Sequence, residues 1–224
     1  MTAQRTVLCY GDSNTHGSAP MASLTDRRRF PPDERWPGAL AAELGPAWRV
    51  IEEGLPGRTT VFPDPISGVH MNGLAVLPVA LSSHRPIDLV IFMLGTNDLK
   101  HCFGVSAQEI ALGMRNLIQA VQNSEDGPDG KPPQILVVCP PAVEEVGWLA
   151  EMYSGGADKS RQLIGFYAEI AELQGVALLD AGDIIAVSMV DGVHYEAEDH
   201  SRLGRAIAAV VKEGQWEGKN AQRT

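Results

Sequence analysis

Tyr10-Gly-Asp-Ser-Asn-Thr-His-Gly17 stands at the end of the first apolar run of the chain, Thr6-Val-Leu-Cys-Tyr10. The run reads as a buried strand, and a glycine and a short polar patch stop it. Ser13 is therefore expected at the C-terminal edge of a central strand, where open α/β sheets build their sites. A serine there becomes a nucleophile only if a base, an acid and oxyanion donors converge on it.

Outward from this stretch, four more apolar runs follow: Arg49–Glu52, Asp88–Leu94, Gln134–Cys139 and Val176–Asp180. Helical periodicity separates them, over Arg35–Leu44, Gly73–Ser82, Ala107–Val121, Lys159–Leu173 and Asp199–Val211. In Ala107–Val121 the residues Ile110, Met114, Leu117 and Val121 share one face. Alternating strands and helices imply an α/β fold, a three-layer α/β/α sandwich on about five parallel strands. Leu89-Val-Ile-Phe-Met-Leu94 is apolar at every position, as a strand covered on both faces should be. Ser124–Pro133 reads as a polar Gly/Pro-rich loop. The pattern predicts a single domain over residues 1–212 and a polar tail over 213–224, with Trp216 available to pack on a neighbour.

The 224 residues carry a net charge of −10, which argues against nucleic acid or an anionic membrane as partner. Composition is that of a globular chain, 44% hydrophobic and 21% charged, with mean hydropathy −0.07. No apolar stretch approaches the roughly 18 residues a membrane span needs. The N-terminus enters a strand within a few residues and lacks a signal-peptide pattern. Cys9 and Cys139 fall in apolar runs and read as buried thiols, and Cys102 shares no CxxC spacing with either. The expected setting is a reducing cytoplasm. No His, Cys or Asp set has metal-ligand spacing, so neither metal nor cofactor is expected.

Four polar segments fall at or after strand ends: Gly11-Asp-Ser13, Glu52–Thr60, Gly95-Thr-Asn-Asp98 and Asp191-Gly-Val-His194. Each can be given a task in acyl transfer. Ser13 attacks a carbonyl, and His194 takes its proton and passes it to the leaving group. Asp191, three residues earlier, orients the imidazole, with Gly192 easing the turn. The Ser13 and Gly57 backbone N–H groups and the Asn97 amide are candidate oxyanion donors.

At these four segments the chain resembles the SGNH (GDSL-type) hydrolases, whose named serine, glycine, asparagine and histidine fall on Ser13, Gly57, Asn97 and His194. The family's acid falls on Asp191. Ile51-Glu-Glu-Gly-Leu55 with Arg58-Thr-Thr60, the stretch Asp88–Asp98, and Ile110-Ala-Leu-Gly-Met114 resemble the bacterial arylesterase/acyltransferase branch. The resemblance implies a flavodoxin-like sheet of order 2-1-3-4-5 and a serine esterase for short-chain acyl esters. It also implies some acyl transfer to alcohols or peroxide, no metal, and a homo-oligomer, octameric in known members. Two of these segments depart from the branch. Asn14 and His16 stand where it usually has Leu and Trp, and Pro56-Gly57 where it tends to have Ser-Ala. An imidazole in place of an indole beside the nucleophile changes pocket shape and wetness.

Asp12, His16, Arg58, Phe103 and Trp148 are candidate pocket residues, with Met152 and Tyr153 beside them. Arg58 has a competing structural reading, an ion pair with Glu52 or Glu53. Asp12 reads as a loop organiser and Asp98 as a brace for the first loop. Asp180 is the rival acid. His70, His84, His101 and His200 read as surface or cap residues.

Three other functions compete. Asp12-Ser-Asn-Thr15 faintly resembles an aspartyl phosphatase loop, but its second aspartate is replaced by Asn14, and Gly11…Gly17 lacks the P-loop lysine. A flavodoxin-like binding module would keep the scaffold without the chemistry. Deacetylation of a carbohydrate or secondary metabolite is the rival within the esterases.

Overall fold

A computed structural model describes residues 4–214. Its strands are β1 (Arg5–Gly11), β2 (Trp48–Gly54), β3 (Leu89–Met93), β4 (Gln134–Cys139) and β5 (Ala177–Asp180). The helices are α1 (Ser13–His16), α2 (Trp36–Leu44), α3 (Gly73–His84), α4 (Ala107–Gln122), α5 (Gly156–Gln174) and α6 (Ala197–Glu213). All strand pairs are parallel, in the order β2-β1-β3-β4-β5. Helix α6 runs one residue past the expected domain end at 212, and Trp216 lies outside the described residues.

Side chains alternate across the sheet, so each strand feeds two cores. Leu8, Tyr10, Val90, Phe92, Ile135 and Val137 pack under α3, α4 and α5. Val7, Cys9, Leu89, Ile91, Leu136 and Val138 pack under α2 and α6. That double coverage explains the unbroken apolar runs of the inner strands. Helix α4 opens on a capping box, with Ser106 and Glu109 bonding each other's ends. Helix α5 starts at Gly156, three residues before the sequence expectation, and Glu145 accepts a bond from the Ala157 amide there.

Register places Gly11 beside Gly54, at the ends of β1 and β2. A Cβ on Gly11 would meet Thr15 Oγ1 at 2.0 Å, and one on Gly54 would meet the His16 nitrogen at 2.2 Å. Two missing side chains thus let the α1 turn lie directly on the sheet edge. Helix α1 is a single turn, ended by Gly17 at φ +82°, and Asp12 caps its start by accepting from the Asn14 amide at 2.9 Å.

Candidate active site

The β1 end presents Ser13, and the loop before α6 presents His194. His194 Nε2 lies 3.1 Å from Ser13 Oγ, and His194 Nδ1 lies 2.6 Å from Asp191 Oδ2. The Asp191 carboxylate is fully buried and also accepts from the amides of Met21, Val193 and His194. Burial raises its pKa, but the hydrogen bond and charge of His194 and the amides of His194 and Met21 bring it below the ordinary value. Asp191 is therefore ionised and holds Nδ1 as the protonated nitrogen, leaving Nε2 to face the serine. Asn14 ties the two loops together, donating through Nδ2 to the Val193 carbonyl at 3.1 Å.

The β2 and β3 ends supply the opposite side. Leu55 donates its amide to the Gly11 carbonyl, and a turn closed by Arg58 N to Leu55 O carries Gly57 at φ +91°. That positive φ favours glycine whatever else the residue does. Among the described residues, the Ser13 and Gly57 amides donate to no protein acceptor. Asn97 Nδ2 lies 3.3 Å from Asp12 Oδ2 and 3.2 Å from the Arg58 carbonyl, and its Oδ1 accepts from Tyr153 at 3.4 Å. Burial pushes the Asp12 carboxyl up to about 6, against the Asn14 amide and the charges of His194, Arg58 and Lys100.

These groups open onto a cleft of about 340 Å³. Ser13, His16, Gly57, Asn97 and His194 line it, as do Met152 and Tyr153. Four of the candidate pocket residues do not line it, and the first, Asp12, is buried behind Asn97. Arg58 is buried, with its guanidinium 4.0 Å over the Tyr10 ring, donating to the Gly11 and Glu53 carbonyls and lying 3.9 Å from Glu53. Phe103 packs against Phe62, and Trp148 is 38% exposed.

Asp98 braces the second loop rather than the first: its carboxylate accepts from Thr60 N and Thr60 Oγ1. Burial pushes it up to about 7 in spite of those bonds. Asp180, the rival acid, instead accepts from the Gly182 amide at the end of β5. His84 is half-buried, 3.0 Å from Glu53, while His70 and His101 are exposed. His200 is not a surface residue. It is fully buried on α6 against Phe30 and Tyr195, and burial, with His194 and Arg35 nearby, lowers its pKa to about 4. Its helical spacing with Leu203, Gly204 and Ile207 was the available signal.

Sequence reasoning also missed a basic wall. Arg27, Arg28, Arg29 and Lys100 line the cleft. Three consecutive arginines in a chain of net charge −10 were the signal that could have found them. Among the described residues, no cluster of three or more His, Cys, Asp or Glu is arranged to hold a metal ion. None of the described helices is long and apolar enough to cross a membrane.

Residues 9–203 match the GDSL-like Lipase/Acylhydrolase family. Among solved structures, the carbohydrate acetylesterase Est24 from Sinorhizobium meliloti is 43% identical, covering 93% of this chain and 98% of its own, with a TM-score of 0.89. The M. smegmatis aryl esterase is 40% identical over the same shares, with a TM-score of 0.88. A further carbohydrate acetylesterase family member from Sinorhizobium meliloti is 37% identical, covering 93% and 97%, at 0.85. No curated protein matched. The chain belongs to the GDSL-like lipase/acylhydrolase family. Its activity class is that of a carboxylic ester hydrolase, and its substrate a small-molecule ester.

Proposed function

We propose that Ser13 is the nucleophile of this esterase and that hydrolysis proceeds through an acyl-enzyme. The observation that carries this reading is the Asp191–His194–Ser13 chain of contacts, 2.6 and 3.1 Å long, beside two undirected amides. His194 Nε2 removes the Ser13 proton as Oγ bonds to the carbonyl carbon. The resulting oxyanion is held by the Ser13 and Gly57 N–H groups and by Asn97. The same proton then goes to the leaving alkoxide as the tetrahedral intermediate collapses. Water, activated by His194, releases the acyl group, or an alcohol or peroxide takes it instead. Asp12 and Tyr153 act on Asn97, holding its amide in place. His16 forms part of the cleft wall beside the nucleophile.

A cleft of about 340 Å³ is at the small end for ligand pockets and supports short acyl chains on aryl or alkyl esters. Deacetylation of an acetylated carbohydrate is the second reading, favoured by the 43% identity to Est24. The three free cysteines support a reducing, cytoplasmic setting. A homo-oligomer rests on the family resemblance.

The test compares p-nitrophenyl acetate with p-nitrophenyl octanoate, using wild type and Ser13→Ala. Acetate-selective hydrolysis that disappears in Ser13→Ala is expected. Wild-type rates from the folded Ser13→Ala protein would remove Ser13 as nucleophile.

A further inference from the structure

The cleft has two chemically different walls. Leu149, Met152 and Tyr153 form one, and Tyr153 reaches Asn97 on the oxyanion side. The other is the loop Asp26–Arg29, which opens directly beside His16 and Ser18. The segment that carries this loop is tied to the acid and to the α1 turn: the Met21 amide donates to Asp191 Oδ2, and Arg29 Nε donates to the His16 carbonyl. The leaving oxygen must face His194 to receive its proton. The basic loop therefore lies on the side of the alcohol portion, and the apolar wall on the side of the acyl portion.

The charges of the basic wall are unequally balanced. Arg28 is engaged by Asp26 through Nε and Nη2, and Glu196 also lies near enough to act on it. Arg29 shares Glu52 with Arg35, at 3.6 Å against 2.8 Å for Arg35. Lys100 lies 3.7 Å from Asp64. Arg27 is exposed, lines the cleft, and has no carboxylate partner among the described residues. In a protein of net charge −10, an unpaired arginine among further cations at the mouth of a site attracts anions locally.

We infer that the alcohol portion of the substrate carries an anionic group, a carboxylate or a phosphate, received by Arg27 on the Asp26–Arg29 loop. The inference rests on the reading of Ser13 as nucleophile, which fixes where the ester lies. An anionic alcohol also leaves as a water-soluble product, repelled by the overall charge once it clears the loop.

The experiment measures kcat/KM for 4-acetoxybenzoate and for its neutral methyl ester, methyl 4-acetoxybenzoate, with wild type and Arg27→Glu. The ratio of the two substrates, compared between the proteins, cancels their intrinsic reactivity. Charge reversal at an exposed site should lower that ratio about tenfold, and 0.5 M salt should shrink the difference. An unchanged ratio overturns the inference. A parallel pair, p-nitrophenyl hydrogen succinate and p-nitrophenyl butyrate, places the charge on the acyl side. A shift confined to that pair overturns the assignment to the alcohol. A third substrate, 4-acetoxyphenyl phosphate, separates a phosphate preference from a carboxylate preference.

Turnover of none of these esters would fall on the Ser13 reading. Calorimetric titration of Ser13→Ala with 4-acetoxybenzoate and its methyl ester tests the anion site without chemistry. Tighter binding of the anion, lost on adding Arg27→Glu, upholds the site, and equal binding of the two removes it.

Discussion

The floor of the cleft and its mouth are built by different means. On the floor, Ser13, Asp191, His194 and Asn97 are buried, and the bonds between them join residues as far as 181 positions apart. At the mouth, Arg27, Arg28 and Arg29 are exposed, and Arg28 takes its carboxylate from two residues away. The floor inherits its geometry from the ends of β1, β2 and β3, the loop before α6 and the hydrogen bonds that join them. The mouth inherits only position, and its charges act through solvent. Buried, preorganised dipoles act strongly on a developing charge, whereas exposed ions are screened. Changes on the floor should therefore cost orders of magnitude, and changes at the mouth should only tune selectivity.

The sharpest way to break that contrast is Asp191→Asn. With the imidazole no longer held in the productive tautomer, turnover should fall by about 10⁴. A loss under tenfold, measured on p-nitrophenyl acetate, would mean that the buried carboxylate is not what orients His194. Asn97→Ala should cost about 10²–10³ in turnover, the usual effect of one oxyanion donor. A change under threefold would take Asn97 out of the oxyanion site.

Asp98 tests the floor through stability rather than rate. Its pKa in the folded protein is about 7, against an ordinary value of 3.8. Between those values the folded protein keeps a proton that the unfolded chain has released. The stability this contributes is full below pH 4 and is lost as pH rises through 7. Asp98→Asn is neutral throughout, so its melting temperature should decline less than wild type between pH 5 and pH 8. Parallel declines would show that Asp98 is not the source. The smallest effect belongs to the mouth, the tenfold change in substrate ratio expected at Arg27.

What was legible in the sequence follows the same division. Strand runs buried on both faces announce themselves by unbroken apolarity, and four polar blocks at their ends mark the floor. Ser13, His194 and Asp191 converge because each sits where a strand or turn fixes it locally. Arg58 was not legible as a buried cation, since its stacking on Tyr10 and bonds to strand-end carbonyls are tertiary. His200 was misplaced because a histidine at an apolar helix position was weighed by residue type and not by period. The 18–35 stretch has no periodicity to read, so its place over the cleft, fixed by Met21 on Asp191, emerges only from the fold.

Thiol burial gives the chain an internal counter. Cys9 and Cys139 are buried, and burial raises both thiols, while Cys102 is exposed. A chromogenic disulfide reagent should titrate one sulfhydryl per chain in the native protein and all three after denaturation. The time course of the additional two reports opening of the sheet directly, with no label, no substrate and no dependence on an intact catalytic serine.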